Sequence, residues 1–351
     1  MTTTGVAGEI MDIAVERCRA GDSKQALAMF DAIRAQLDPP PAILKLIGEL
    51  EATGCNRAAI ASGGSLRVQA TTGWDSNVSQ GISARSLVLG TGDNAVELPL
   101  APSYLPRASA FAQATADYSM DIPRYGLNVQ VAAGQRVNRQ ASEYDLRTVS
   151  SAIAREFQLP IGNLRAQVDV SQIWLGGHHY QRTESAALQW LHTLPQGAWL
   201  ATTSLTGIDY VTQPTQNARV WDTGVLREWQ LDPAKSVHVH FSIQDDRARS
   251  TRPGGDRFGF QAEAGAVVLT QGWRLRPQVG YSWWNSEDVF APGLLDVRRR
   301  NRLRQAFIQA ERPLSPDTSL VLEWRGRWAR DTISLYKYQA QVVSATLAFR
   351  F

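Results

Sequence analysis

From Ser65 to the final residue, Phe351, apolar and polar side chains alternate in segments of about ten residues. Period two marks a β-strand whose two faces meet different surroundings. In the first segment Leu66, Val68, Ala70, Thr72 and Trp74 alternate with Arg67, Gln69 and Thr71. Fourteen such segments follow one another, the first near 65–74 and the last at 337–351. The breaks between them alternate in kind. Those at 121–124, 160–162, 195–197, 232–234, 271–272 and 315–317 are short and turn-like, whereas 75–106, 136–145, 175–180, 211–216, 246–256, 285–298 and 330–336 read as longer, more polar loops. An even number of strands, with short turns at one end and long loops at the other, is the plan of a bacterial outer-membrane β-barrel. A soluble sandwich has no reason to alternate its loops, and its strands are typically about five or six residues long.

The two faces of each segment differ in the way a membrane requires. Trp273, Leu275, Pro277, Val279, Tyr281 and Trp283 oppose Arg274, Arg276 and Gln278. Leu320, Leu322, Trp324 and Trp328 oppose Glu323, Arg325 and Arg327, and Val237, Val239, Phe241 and Ile243 oppose His238, His240 and Gln244. Phe258, Phe260, Ala262 and Ala264 oppose Arg257, Gln261 and Glu263. A lipid-facing charge costs roughly 2–4 kcal/mol near the bilayer midplane, so the apolar face must point outward. The polar face then lines the lumen. Arg165, Asp169, His238, His240, Glu263, Arg274, Arg276, Glu323, Arg325, Arg327 and Arg350 are the lumen-lining candidates. Two readings of these charges stand: a basic pore that passes an anionic polymer, or ion pairs that fill and stiffen the barrel.

Composition agrees with strands as the membrane-crossing elements. Hydrophobic residues make up 44% of the chain, with no run of 18 apolar residues that would make a transmembrane helix. The 11 Trp suit membrane–water boundaries. A net charge of +3 without a basic block does not point to nucleic acid. The two cysteines, Cys18 and Cys55, lie ahead of the strands; they read as a disulfide or as buried helix thiols.

Residues 1–60 read as a helical segment. Ile10, Ile13, Ala14 and Arg17 open one face. Ala26, Leu27, Phe30, Ile33 and Leu37 form the next, after a Gly21-Asp22-Ser23 break with Asp22 or Ser23 as N-cap. Pro39-Pro40-Pro41 stops that helix, and Ile43, Leu44, Ile47 and Leu50 form a third. Gly21, Ala26, Phe30, Ile33 and the prolines resemble a tetratricopeptide repeat, present about one and a half times. Such repeats usually need three or more for stability. The chain start, MTTTGVAGEIMDIAVERC, also has no basic-then-apolar export signal. Together these predict that residues 1–60 end a longer array whose front is absent.

The last strand alternates to the final residue. Val343, Leu347, Phe349 and Phe351 form its apolar face, opposite Ser344, Thr346 and Arg350. A terminal Phe after alternating apolar residues resembles the strand that the outer-membrane assembly machinery recognises. At the end of the first strand stands Gly73-Trp74-Asp75-Ser76-Asn77-Val78. With the repeat-like front, this motif looks like the start of the barrel in outer-membrane proteins of the surface lipoprotein assembly modifier type. That resemblance implies a fourteen-stranded outer-membrane barrel over 65–351 with its helical segment in the periplasm. It also implies a translocation function: client proteins, often lipoproteins, received by the repeats and delivered to the cell surface. The short repeat segment departs from the longer array of that family. Asp75, Ser76 and Asn77 also suit a simple turn, because Asp and Asn bond their own backbone. The alternative is an exopolysaccharide export porin, which also joins repeats to a barrel but typically with sixteen strands.

Nothing in the sequence points to an enzyme or a cofactor. No phosphate loop, metalloprotease helix or nucleophile elbow occurs. His238 and His240 share a strand face at a spacing that binds metal, but no third ligand is evident. The partners expected are outer-membrane lipid, the barrel assembly machinery and a client protein.

Overall fold

The computed structural model describes residues 11, 13–15, 17–18, 23–36, 41–52, 64–83, 86–89, 96–122 and 125–351. The chain divides into two compact units, one of residues 1–64 with 120–128 and one of 65–119 with 129–351.

In the helical unit, helix α1 (Ser23–Gln36) is followed by α2 (Pro41–Ala52). Pro41 opens α2, where its fixed φ suits a first turn and its missing N–H costs nothing. Phe30, Ile33 and Ala26 of α1 and Ile47 of α2 are fully buried, with Ala14 and Cys18 from the preceding helical residues. Arg34 Nη1 bonds Glu51 Oε1 across the helix pair at 2.7 Å. Two expected core positions are instead exposed: Ile13 and Leu44. Met11, Ala14 and Cys18 form the inward stripe, so the first face is rotated from the expected one. Cys18 is disulfide-bonded, which corrects the reading as a buried thiol. Ile10, Gly21, Asp22, Leu37, Pro39, Pro40 and all of 53–63, Cys55 among them, lie outside the described residues.

The second unit is built from strands β1 (Ser65–Asp75), β2 (Ser86–Leu89), β3 (Val96–Pro99), β4 (Ser109–Ile122), β5 (Leu127–Asn138), β6 (Leu146–Leu159), β7 (Gly162–Leu175) and β8 (His178–Leu194). Strands β9 (Gly197–Tyr210), β10 (Ala218–Asp232), β11 (Lys235–Ala248), β12 (Arg257–Thr270), β13 (Trp273–Ala291), β14 (Leu295–Ser315), β15 (Thr318–Asp331) and β16 (Tyr338–Arg350) complete it. Among the described residues, β1 and β4 to β16 form a closed fourteen-strand barrel, and β2 and β3 form a separate hairpin within the first connection. Closure joins the first strand to the last, from Arg67↔Arg350 to Asp75↔Val342. Leu66 and Phe351 add a reciprocal pair of backbone bonds, 2.8 and 3.1 Å.

A closed barrel leaves no strand edge, the condition for β-structure in hydrocarbon. The side chains are turned accordingly. Val279, Ile308 and Val343 are 59%, 51% and 51% exposed, as are many of their outward neighbours. Alternation buries such residues in a soluble protein; here they form an apolar band that faces lipid.

Two of the expected long loops are not loops. The connection expected at 175–180 is a two-residue turn, Gly176-Gly177, both at positive φ (55° and 86°). That is the type I′ geometry which matches strand twist and which glycine adopts without strain. The stretch expected as loop 285–298 is mostly strand: β13 runs to Ala291 and β14 begins at Leu295. Alternation is imposed only where one face meets lipid, so a hairpin extending beyond the bilayer need not alternate and escapes a period-two search.

Candidate functional site: the lumen and its loop-end mouth

Residues two apart on a strand share a face, and cross-strand register carries that face around the barrel. One cavity of about 580 Å³ is lined by Arg67, Gln69 and Thr71 of β1, Gln113 of β4, Glu323, Arg325 and Arg327 of β15, and Ser344 and Thr346 of β16. A second, of about 440 Å³, is lined by Ser204, Thr206, Asp222, Gln244, Asp246, Arg257 and Trp284. A third, of about 210 Å³, lies among Gln261, Glu263, Gln278, Gln305, Phe307 and Arg325. The interior wall is therefore rich in polar and charged side chains, the inverse of the outer band.

Each candidate lumen residue takes its place on this face by register. Arg350 lies opposite Arg67, Arg274 opposite Glu311, and His240 opposite Glu263. Many are paired. Arg325 Nη2 bonds Glu323 Oε1 at 3.0 Å. Arg276 lies 3.9 Å from Glu311 and bonds Gln309 Oε1 at 3.2 Å. Arg165 lies 3.9 Å from Glu156, and His238 lies 3.7 Å from Glu263. Asp169 sits opposite Ala152 and Ser185. Among the described residues, Arg67, Arg274, Arg327 and Arg350 have no carboxylate within 4 Å, and the buried Arg327 Nε has no hydrogen-bond partner. No group of three or more His, Cys, Asp or Glu among the described residues is placed to hold a metal.

At the loop end the wall carries a polar network that sequence reading did not assemble. Gly73 makes room for it: a Cβ there would stand 2.6 Å from the Phe111 ring and 2.4 Å from the Val343 carbonyl oxygen. The Arg136 guanidinium lies 3.9 Å from the Phe111 ring centroid and donates to Asp75 Oδ2 at 2.9 Å. Asp75 Oδ1 accepts from the Asn77 backbone N–H at 2.9 Å. Asn77 Nδ2 donates to the carbonyls of Gly81 (2.9 Å) and Gln339 (2.8 Å), and its Oδ1 accepts from Gly81 N–H at 2.7 Å. Ser76 exchanges bonds with Gln341, N–H to carbonyl at 2.9 Å and Oγ from N–H at 2.7 Å. Asp75, Ser76 and Asn77 thus fasten the first connection to the closing strand, while Trp74 points outward and is exposed.

A related device recurs. The N–H of Asn138, Tyr210 and Ala248 bonds the side chain of Asp145, Asn217 and Asp256, each seven or eight residues on. Across the mouth, Arg299 donates to Asp331 at 2.9 Å and lies 4.5 Å from the Trp284 ring centroid, with Arg257 at 4.8 Å. The nearly inaccessible Arg252 spends its guanidinium on Asp246 and the Gly255 carbonyl. Arg136 fell just outside its expected strand, and Arg299 was the first residue of the one expected at 299–311 and was not assigned a face.

Replacing Asn77 by Ala is expected to loosen the first connection by about 2–3 kcal/mol, since hydrogen bonds are worth about 1 kcal/mol each and the stranded partners cost more. Limited proteolysis reads this as faster cleavage within 76–108 with the rest of the barrel intact; an unchanged cleavage rate would remove Asn77 as the clip.

A closed antiparallel barrel with an apolar outer band and a charged lumen defines a membrane-spanning barrel of the outer-membrane type. Neither a protein-family profile nor a curated protein sequence matches this chain. Among solved structures, it is similar to a bacterial polysaccharide outer membrane secretin (9% identity, TM-score 0.42, covering 83% of this chain and 99% of that one). It is also similar to an outer membrane channel from Pseudomonas putida F1 (10%, 0.43, 83% and 97%). A third is an anion-selective porin from Comamonas acidovorans (8%, 0.39, 82% and 100%).

Proposed function

We propose that this chain is an outer-membrane conduit for a client polypeptide, with the helical unit meeting the client in the periplasm. The observation that carries the reading is the mixed sign of the lumen. Arg136–Asp75, Arg165–Glu156, Arg276–Glu311 and Arg325–Glu323 distribute both charges around the interior. A polypeptide carries both signs, and such a wall neither repels nor traps it; selection for an anion calls for a surplus of cations. Fourteen strands is also the number expected for a surface lipoprotein assembly modifier-type barrel. The chain enters the barrel at Ser65, beside Phe351 and at the short-turn end, which is the periplasmic end in barrels of this plan. The disulfide at Cys18 accords with an oxidising compartment.

A second reading, export of an anionic exopolysaccharide, draws on Arg67, Arg274, Arg327 and Arg350, which lack a carboxylate partner. Gene deletion followed by protease shaving of intact cells separates the two. Loss of one or a few surface-exposed proteins, restored by the full chain, is expected. An unchanged surface proteome with loss of a secreted polysaccharide would overturn the proposal in favour of the second reading.

A further inference from the structure

The outer face carries a cluster of charge where an apolar band should be ending. On β14, Arg300, Arg302 and Arg304 are exposed and alternate with the lumen-facing Asn301 and Leu303. Register sets Arg302 between Trp283 of β13 and Arg330 of β15, and Arg304 between Tyr281 and Trp328. Two like charges directly opposite each other across a strand pair repel. No ion pair joins any of these four arginines to a carboxylate among the described residues, whereas Arg299, on the other face of the same strand, is paired with Asp331. Three other exposed arginines near the loop end are matched, Arg182 with Glu184, Arg247 with Asp245 and Arg249 with Asp209, whereas Arg147 and Arg219 stand singly on their strands without a carboxylate among the described residues; what distinguishes β14 and β15 is four such arginines on adjacent strands.

The height of the cluster is set by the same strand. Below Arg304 the outward positions are Ala306, Ile308 and Ala310, then Arg312, which lies 5.6 Å from the Trp273 ring centroid near the short turn. Eight residues at about 3.4 Å each span about 27 Å along the strand. At a tilt of 35–45° that is about 20 Å along the bilayer normal, close to the roughly 25 Å of an outer-membrane apolar band. Arg304 therefore stands at the upper edge of the band, and Arg300, Arg302 and Arg330 at headgroup level. Tyr281, Trp283 and Trp328 flank Arg302 and Arg304 in register, and amphipathic rings of this kind concentrate at the membrane–water boundary.

We infer that Arg300, Arg302, Arg304 and Arg330 form a docking site on the outer wall for a diphosphorylated lipid headgroup of the outer leaflet. Guanidinium forks match phosphate geometry, and an anion relieves the Arg302–Arg330 repulsion. From Arg300 to Arg304 the site extends about 13 Å along the strand, more than one phosphate needs and suited to two phosphates on one sugar headgroup. The inference rests on outer-membrane placement with the long connections outward, and not on what crosses the pore.

The full chain in phosphatidylcholine nanodiscs, titrated with diphosphoryl lipid A and read by native mass spectrometry, tests it. Lipid A is expected to bind, with at least a tenfold loss of affinity in R302Q/R330Q and no change in R182Q. Dephosphorylated lipid A and phosphatidylglycerol are expected to bind at least tenfold more weakly than lipid A. Heat-modifiable gel mobility confirms that each variant is folded, and R304Q gives the same readout if the double variant is not. Equal binding by R302Q/R330Q, or by either control lipid to the wild type, would overturn the site. So would a dimer of the chain that covers these arginines and excludes lipid A.

Discussion

A chain ending at Lys337 is expected to give no folded barrel at all. It lacks β16, which pairs with β1 from Arg67↔Arg350 to Asp75↔Val342 and with β15 from Thr318↔Phe349 to Ala329↔Tyr338. Two strand edges would then face hydrocarbon. Each unsatisfied backbone group there costs several kcal/mol, so a handful exceeds the roughly 5–15 kcal/mol by which a whole domain is stable. Refolding into lipid vesicles, followed by unheated gel electrophoresis, checks this: no heat-modifiable, protease-resistant band is expected. A resistant band from the truncated chain would refute closure through β1 and β16. Phe351→Ala keeps most of the ladder and separates backbone closure from recognition. Wild-type refolding in vesicles with lowered assembly in cells would support the proposal that the assembly machinery reads Phe351.

The second large effect separates neighbouring residues on opposite faces. Ile308→Arg is expected to destabilise the barrel by roughly 2–4 kcal/mol, the cost of an arginine facing mid-bilayer lipid. That is a fall of about 30-fold or more in the folding equilibrium constant. Ile308 is outward and half exposed, opposite Pro277 and Trp324. Gln309→Arg, one residue on, places the same charge in the lumen, opposite Glu323 and near Arg276 and Glu311. It is expected to change stability by less than about 1 kcal/mol, as hydrated or paired charges do. Denaturant titration in vesicles measures both. Equal penalties would mean that the lumen is as dry as the outer wall, and the face assignment would fail.

The strands and their faces were legible because a bilayer enforces a local rule. Every lipid-contacting segment must alternate, so Leu320 to Trp328 or Trp273 to Trp283 reveal both their extent and their outward side without knowledge of any partner. The rule stops at the membrane edge. For that reason the β13–β14 extension was mistaken for a loop, Arg136 was left outside its strand, and Arg299, at the first position of its own, was given no face. In the helical unit the signal was weaker. Short helices leave several plausible stripes, and packing selected Met11, Ala14 and Cys18 over Ile13 and Leu44.

The sequence by itself determined a fourteen-strand alternation ending in Phe351, an apolar side and a charged side, because these follow from spacing along one chain. Only the tertiary structure decided the rest. Register made Arg325 pair with Glu323 while leaving Arg67 beside Arg350, and it set Arg302 against Arg330 on the outer wall. It also turned Asp75, Ser76 and Asn77 from a motif into the clip that binds the first connection to the last strand. Such relations join residues as far apart as 67 and 350, and alternation along a single strand carries no information about which strand lies beside it.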